Sequence, residues 1–300
     1  MKKTWTIGTR GSALALKQAE TVVLLLQTFY PDHEFRTRTI KTTGDSVWDR
    51  PVHLIGGKGL FVREIEAELL AGTIDFAVHS MKDMPTEIDE GLVIGAILKR
   101  EDPRDAFISS KYDRLADMSE GDRLGTNSLR RKSQVLNFNN RITVIPLRGN
   151  VDTRIRKMVS NNLSGIILAW AGVKRMGFEA HVKEILPLDL MVPPSGQGAI
   201  GIETRNESAL LEMLQAINHR QSFQEVEIER SLQARIGGGC NVPLGINASI
   251  SNSSLTLRAV FGREDGEILV RHTQVGTLDA AEEMIMDAFR QIRPYTGAEN

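Results

Sequence analysis

Three times between Asp122 and Arg175 a short apolar run ends in a turn and then in the start of an amphipathic segment. Asp122 to Gly125 leads into Thr126-Asn127-Ser128-Leu129-Arg130-Arg131-Lys132, and Thr143 to Leu147 into Arg148-Gly149-Asn150-Val151-Asp152-Thr153-Arg154. Gly165 to Leu168 leads into Ala171-Gly172-Val173-Lys174-Arg175. Strand, turn and helix start, repeated at this spacing, restrict this part of the chain to an α/β domain. The first turn of a helix is the positive end of its dipole, where cations are unfavourable and anions meet free N–H groups. From Arg123 to Arg175 the chain carries eleven Lys and Arg, and Asp152 is the only acid. Arg130, Arg131 and Arg154 are therefore badly placed for helix stability. Either bound anions remove the conflict, or the side chains fold back to solvent or pair with acids of another domain.

The N-terminal third reads as a second α/β domain. Trp5 to Thr9 is a short strand, and Ser12 caps a helix to Phe29 whose apolar positions include Leu14, Leu16, Ala19, Val22, Val23 and Leu26. Arg10 falls at the carboxyl end of the strand, where open α/β sheets bind ligands. Glu34 to Lys41 is a further strand. Thr42 to Lys58 has no periodicity and is either a binding loop or a plain surface loop. Gly56-Gly57-Lys58-Gly59 lacks the Walker spacing, which excludes a P-loop. Leu60 to Leu70 reads as a helix with Phe61, Ile65, Leu69 and Leu70 facing a core. Strand Ile74 to Val78 ends in His79-Ser80-Met81-Lys82-Asp83-Met84-Pro85, so a hydroxyl, an ammonium and a carboxylate leave one strand end together. The alternative for Asp83 is a local turn ahead of Pro85. Leu92 to Leu98 is a strand, and the charged run Lys99 to Asp105 marks a boundary. Pro193 to Gly198 is a return crossing before strand Ala199 to Glu203 and helix Glu207 to Ile217. The expected domains are thus 1–98 with 196–217, 99–195, and 218–300.

The third domain reads as α+β: helix Gln221 to Ile236, three strands near 244–249, 254–261 and 267–275 with an Asp265-Gly266 turn, and an amphipathic helix from Leu278 to Ile292. Between its first helix and first strand lies Gly237-Gly238-Gly239-Cys240-Asn241, which holds the single cysteine of the chain. Among glycines that thiol is expected on a bent, accessible loop, although an unpaired cysteine is as often a small buried hydrophobe. One cysteine rules out an internal disulfide framework and suits a reducing compartment. No secretory segment or membrane-length apolar run is evident, so a cytoplasmic location is expected. Histidines 33, 53, 79, 181, 219 and 272 have no ligand spacing, so no metal is expected, and no nucleophile elbow or dinucleotide fingerprint occurs.

Taken together, Ile7-Gly8-Thr9-Arg10-Gly11-Ser12, Gly56-Gly57-Lys58-Gly59-Leu60-Phe61, Ala77-Val78-His79-Ser80-Met81-Lys82-Asp83 and Arg100-Glu101-Asp102-Pro103-Arg104-Asp105 resemble the porphobilinogen deaminase (hydroxymethylbilane synthase) family. The resemblance continues in order through Gly125-Thr126 with Ser128-Leu129-Arg130-Arg131, Leu147-Arg148-Gly149-Asn150-Val151, Gly196-Gln197-Gly198-Ala199 and Gly238-Gly239-Cys240. It implies two periplasmic-binding-protein-like α/β domains flanking a cleft, plus a small C-terminal α+β domain with a three-stranded sheet. It also implies an enzyme, a monomeric transferase of porphyrin and haem biosynthesis. The resemblance further implies that a dipyrromethane cofactor is attached to Cys240 through a thioether, and that four porphobilinogen molecules are condensed head to tail with loss of ammonia before hydrolytic release.

By the same resemblance Asp83 is the catalytic carboxylate and Lys82 binds a side-chain carboxylate. Arg10, Arg130, Arg131, Arg148, Arg154 and Arg175 hold the acetates and propionates, which planar guanidinium groups can do bidentately. Ser12, Ser80, Thr126, Asn127, Ser128 and Gln197 complete the cofactor and substrate contacts, and Asp45, Lys58 and Phe61 belong to a lid over the cleft. The chain departs from the family pattern at Asn127, Trp170 and Pro194-Ser195. Two other readings compete. A non-enzymatic two-domain clamp for a polycarboxylate would use the arginines but leave Asp83 and Cys240 idle. A nucleic-acid binder would want aromatics interleaved with the basic residues, and only Phe138 and Trp170 occur there.

Overall fold

The computed structural model describes residues 4–46, 59, 62–237 and 242–296. It forms two compact units, Met1–Glu101 with Ala199–Gln224, and Asp102–Gly198 with Glu225–Asn300.

In chain order the first unit contains β1 (Thr4–Arg10), α1 (Ala13–Phe29), β2 (Glu34–Ile40), the short α2 (Thr43–Ser46), α3 (Arg63–Leu70), β3 (Phe76–Ser80), a 3-10 turn (Met81–Asp83) and β4 (Leu92–Ile97). The second begins with β5 (Asp105–Ile108), β6 (Arg123–Gly125), α4 (Leu129–Phe138), β7 (Thr143–Ile145), α5 (Val151–Ser160), β8 (Gly165–Ala169), α6 (Trp170–Arg175) and β9 (Val182–Ile185). The chain then returns to the first unit as β10 (Ile200–Arg205) and α7 (Ser208–Gln215). It ends with α8 (Arg220–Ile236), β11 (Leu244–Ser251), β12 (Ser254–Gly262), β13 (Ile268–Thr277) and α9 (Ala281–Ile292).

The first sheet has the order β2-β1-β3-β10-β4 and the second β7-β6-β8-β5-β9. Each has three parallel strands joined by helical crossovers. In each, a fourth position is filled by an antiparallel strand that has just arrived along a crossing segment: β10 in the first, β5 in the second. The two sheets are thus wound alike. The central strands are buried on both faces, which is why β8 reads as the continuous run Gly-Ile-Ile-Leu-Ala instead of alternating.

In the first unit, one face of the sheet packs Ile7, Phe76 and Ile202 against Ala19, Val22 and Leu26 of α1 and Leu210 and Leu214 of α7. The other face packs Ile40, Ile74 and Ala77 against Ile65 and Leu69 of α3. Leu70, expected to face this core, is 48% exposed, and Leu16 of α1 is 41% exposed, because both fall off the buried stripe of their helices. In the second unit, Phe107, Leu124 and Ile167 belong to one cluster, and Ile108, Leu147, Ile155 and Ile166 to another. β11, β12 and β13 form an antiparallel sheet whose inner face meets α8 and the Met284, Ile285, Ala288 and Ile292 stripe of α9.

Three details differ from the sequence reading. The run ending in Asp105 is not only a boundary, since Asp105 itself opens the buried strand β5. The stretch after Thr42 begins with a helical turn, where the backbone N–H and hydroxyl of Thr43 donate to Glu64 of α3. Lys174 and Arg175 do not start a helix. They close the six-residue α6, the end at which cations are favourable.

Candidate active site

In the first unit the groups converge at the carboxyl ends of β1 and β3. Arg10 is the last residue of β1, and the chain turns at Gly11 so that Ser12 caps α1, its Oγ accepting from the N–H of Ala15 at 3.2 Å. Ser80 is the last residue of β3, and the 3-10 turn that follows projects Asp83 into solvent while Met81 is buried beneath it. A cavity of about 60 Å³ collects Arg10, Ser12, Gln18, His79, Ser80 and Asp83 in its wall. A guanidinium, two hydroxyls and a carboxylate therefore share one small volume. Lys82 occupies the same turn, half-buried, without lining that cavity.

Gln18 was not among the expected site residues. It is buried on the apolar face of α1 and exchanges hydrogen bonds with Ser80 Oγ, donating from Nε2 at 2.9 Å and accepting at Oε1 at 3.1 Å. Its signal in the sequence is a polar residue on the stripe defined by Ala15, Ala19 and Val22. His79 is buried too, its Nε2 3.0 Å from Glu203 Oε2 on the neighbouring strand β10.

In the second unit the carboxyl ends of β6, β7 and β8 carry the arginines. Thr126 is buried, its hydroxyl accepting from the N–H of Ser128 at 3.2 Å, and Ser128 caps α4 by accepting from the N–H of Arg131. With the Asn127 amide turned so that its oxygen faces Arg148, it accepts from Nε and Nη2 at 3.3 and 3.2 Å. Asn127 thus serves as an acceptor for the neighbouring guanidinium. Arg154 Nε donates to the carbonyl of Gly149, and Arg175 Nη2 to that of Gly198, each at 2.6 Å. Arg148, Arg154 and Arg175 are all half-buried.

Arg130 and Arg131 differ from these. Both are buried, and both pair with one acid: Arg130 Nη2 donates to Asp105 Oδ2 at 2.9 Å, and Arg131 Nη2 to Asp105 Oδ1 at 2.7 Å. The acid that answers these two cations is not one of another domain, as expected, but one of their own. It comes from β5 of the same unit, because the antiparallel pairing sets Asp105 beside Ala169 at the carboxyl end of β8. Gln197 Nε2 also donates to Asp105 Oδ1, at 2.9 Å, and to the carbonyl of Pro103 at 2.7 Å, so its side-chain amide has a structural task. Burial pushes the Asp105 carboxyl up, but the two guanidinium charges and the hydrogen bonds from Arg131 and Gln197 outweigh it and hold it well below the usual carboxylate range. Burial lowers Arg130 to about 10 against the pull of Asp105, so the pair stays ionised at neutral pH. Like Gln18, Asp105 was not placed in the site by sequence reasoning. The apolar triplet Ala106-Phe107-Ile108 directly after the charged run was its signal.

Cys240, Lys58 and Phe61 lie outside the described residues, and of Asp45 only the backbone, in α2, is described. Gly237, at the end of α8, has φ of 75°, the left-handed conformation expected of a glycine that ends a helix ahead of the cysteine segment. Among the described residues no cluster of three or more His, Cys, Asp or Glu is arranged to hold a metal, and no helix is long and apolar enough to cross a membrane.

The fold is that of an α/β protein that in each unit gathers guanidinium and hydroxyl groups at strand ends with a carboxylate among them, Asp83 in the first and Asp105 in the second. A family model described as "Porphobilinogen deaminase, dipyromethane cofactor binding domain" matches residues 5–213, and "Porphobilinogen deaminase, C-terminal domain" matches residues 223–292. Porphobilinogen deaminase of Syntrophomonas wolfei is 47% identical over 262 residues, covering 87% of this chain and 86% of that one. Porphobilinogen deaminase of Desulforamulus reducens is 43% identical over 298 residues, covering 99% and 96%. The chain belongs to the porphobilinogen deaminase family, a family of transferases. Among solved structures, a putative methionine-binding lipoprotein of Bacillus subtilis matches 73% of this chain and 92% of its own with a TM-score of 0.45 at 11% identity.

Proposed function

We propose that this chain is a hydroxymethylbilane synthase. It condenses four porphobilinogen molecules head to tail on a dipyrromethane primer held by Cys240 Sγ, releasing one ammonia per unit, and then frees the linear tetrapyrrole by hydrolysis. The observation that carries this reading, beside family membership, is a cavity whose wall brings Asp83 together with Arg10, Ser12 and Ser80.

The donor set suits the primer. Each pyrrole carries an acetate and a propionate, and the chain answers with arginines at five strand or helix ends, one of which, Arg131, has its Nε buried without an acceptor among the described residues. When bound, the dipyrromethane supplies the nucleophilic ring carbon to which the first substrate is joined. The protein's own groups do the rest. Arg10, Arg148, Arg154 and Arg175 orient carboxylates, Arg130 and Arg131 bind as a pair, and Lys82 adds an ammonium beside the carboxylate turn. The hydroxyls of Ser12 and Ser80 add contacts in the first unit, and those of Thr126 and Ser128 with the amides of Asn127 and Gln197 add contacts in the second. Asp83 stands where positive charge develops as the aminomethyl C–N bond of substrate breaks and nitrogen departs as ammonia. The same carboxylate then takes the proton that the attacking ring carbon loses once the new C–C bond has formed, and that loss restores the aromatic ring. Asp45, Lys58 and Phe61 act as a lid. The domains are assigned as 1–98 with 196–217, 99–195 and 218–300, and the protein works as a cytoplasmic monomer without nucleic-acid or membrane partners.

Intact mass under denaturing conditions tests the reading directly. The protein should carry an excess of two linked pyrrole units that is absent from Cys240→Ser. If incubation with porphobilinogen adds no mass and yields no tetrapyrrole, the synthase reading fails and a polycarboxylate-binding clamp replaces it.

A further inference from the structure

Two guanidinium groups and a single carboxylate are buried together at the carboxyl edge of the second sheet. Replacing a buried ion pair by apolar residues of similar size is often neutral or stabilising, so folding alone gives little reason to keep this one. The charges do not balance either: Arg130 and Arg131 against Asp105 leave one net positive charge. Every contact limits movement. Arg130 Nη1 donates to the Val192 carbonyl at 2.8 Å, and Arg131 Nη1 to the Ile167 carbonyl at 3.1 Å. Both oxygens of Asp105 are engaged, Oδ1 by Arg131 and Gln197 and Oδ2 by Arg130. The residue before Gln197 is tied in turn to α8, because the Gly196 N–H donates to Glu229 Oε2 at 2.7 Å. α8 is the helix that leads into the segment carrying Cys240.

We propose that Asp105 is a positioning residue for the condensation. From the buried start of β5 it fixes both guanidinium groups and neutralises one of their two charges, leaving a rigid, singly positive pair toward the carboxylates of the bound pyrroles. Gln197 completes the device by holding Asp105 and by linking it, through Gly196 and Glu229, to α8. This assignment rests on the synthase reading. It differs from substrate binding itself, since Asp105 is wholly buried and would touch no ligand.

The test uses this chain and two variants, Asp105→Asn and Gln197→Met, each produced without primer in cells that make no porphobilinogen, then incubated with porphobilinogen and followed by intact mass. Loading of the two primer units should be at least tenfold slower in Asp105→Asn. The loaded fraction should keep kcat within threefold while KM rises at least fivefold. Gln197→Met keeps all the ion pairs, and it should shift loading and KM in the same direction by two- to fivefold. A cooperatively melting Asp105→Asn that loads at the parent rate with parent KM overturns the proposal. Should that variant not fold, an unchanged Gln197→Met overturns it equally. Failure of the parent protein to load would instead sink the synthase reading, which keeps the two failures apart.

Discussion

Gly201 lies on β10 opposite His79 of β3, with no ligand-bearing group of its own, yet its substitution should slow the reaction. A Cβ built at Gly201 would stand 2.1 Å from Met81 Sδ and 3.1 Å from Met81 Cγ. Ordinary contact between such atoms is about 3.6 Å, so roughly 1.5 Å of displacement is required. Met81 is 2% exposed, and its N–H donates to the Ala199 carbonyl at 3.1 Å, so the side chain cannot swing into solvent. The strain therefore passes to the Met81–Asp83 turn. Overpacking of this kind costs about 1–3 kcal/mol, and a misplacement near 1 Å at a catalytic group can lower turnover by about a hundredfold. Gly201→Ala should thus lose 1–3 kcal/mol in urea unfolding, by the same estimate of about that size, and between ten- and a hundredfold in kcat, roughly, with a smaller change in KM. Gly72→Ala is the control. Gly72 has φ of 68° and nothing within 4 Å of a Cβ, so alanine there costs about 1 kcal/mol of backbone strain at a distance from the turn, with kcat unchanged. If Gly201→Ala keeps kcat within twofold, or if Gly72→Ala loses as much, the coupling between strand packing and the carboxylate turn is wrong.

Three further outcomes are expected. Asp83→Asn should leave the fold and primer loading measurable while kcat falls by about 10²–10⁴, the range for losing a positioned acid–base group; a kcat within threefold of the parent would remove Asp83 from the mechanism. Leu69→Ala, at a fully buried position between α3 and the first sheet, should cost about 2–5 kcal/mol in urea unfolding, and a loss under 1 kcal/mol would contradict the packing described. Glu66 of α3 is buried, and burial together with the nearby charges of Glu203 and Asp89 raises its carboxyl to about 7, against smaller opposing effects of His79 and Arg63. A carboxyl raised in the folded state binds its proton more tightly there than when unfolded. Stability is therefore full below the ordinary carboxylate range and falls as pH rises toward 7. Glu66→Gln should be neutral at pH 4 and stabilising by up to about 3 kcal/mol at pH 8, whereas equal effects at both pH values would refute the assignment.

Much of this was legible before any coordinates. Ser12 as the cap of α1, the strand ends at Arg10 and Ser80, and the turns after β6 and β7 follow from apolar runs punctuated by glycine and small polar residues, which are local signals. The partner of Arg130 and Arg131 was not legible. Asp105 is about twenty-five residues away from them in sequence, and only the antiparallel insertion of β5 beside β8 brings it to their side chains. Gln18 and Ser80 meet for the same kind of reason, across the packing of α1 on β3. Lys174 and Arg175 were misplaced because a helix of six residues has no periodicity to reveal where it begins. Local patterns position strand ends, while the pairs that immobilise the side chains there depend on strand order.

Strand order also explains why both sheets can carry a ligand-binding edge richer than three crossover turns would allow. A parallel strand offers its carboxyl end to that edge, and an antiparallel strand offers its start. In the second sheet the inserted β5 therefore delivers Asp105 next to the end of β8. In the first sheet β10 begins opposite Ser80, and the carbonyl of Ala199 just ahead of it accepts from the N–H of Met81, fixing the turn that bears Asp83. Both insertions follow a chain crossing, so the segments 98–104 and 186–199 have a second role beside linking the sheets. Each leads into a strand at whose start a charged group is immobilised: by a carboxylate that holds two arginines in one case, by a backbone carbonyl that holds the turn bearing Asp83 in the other.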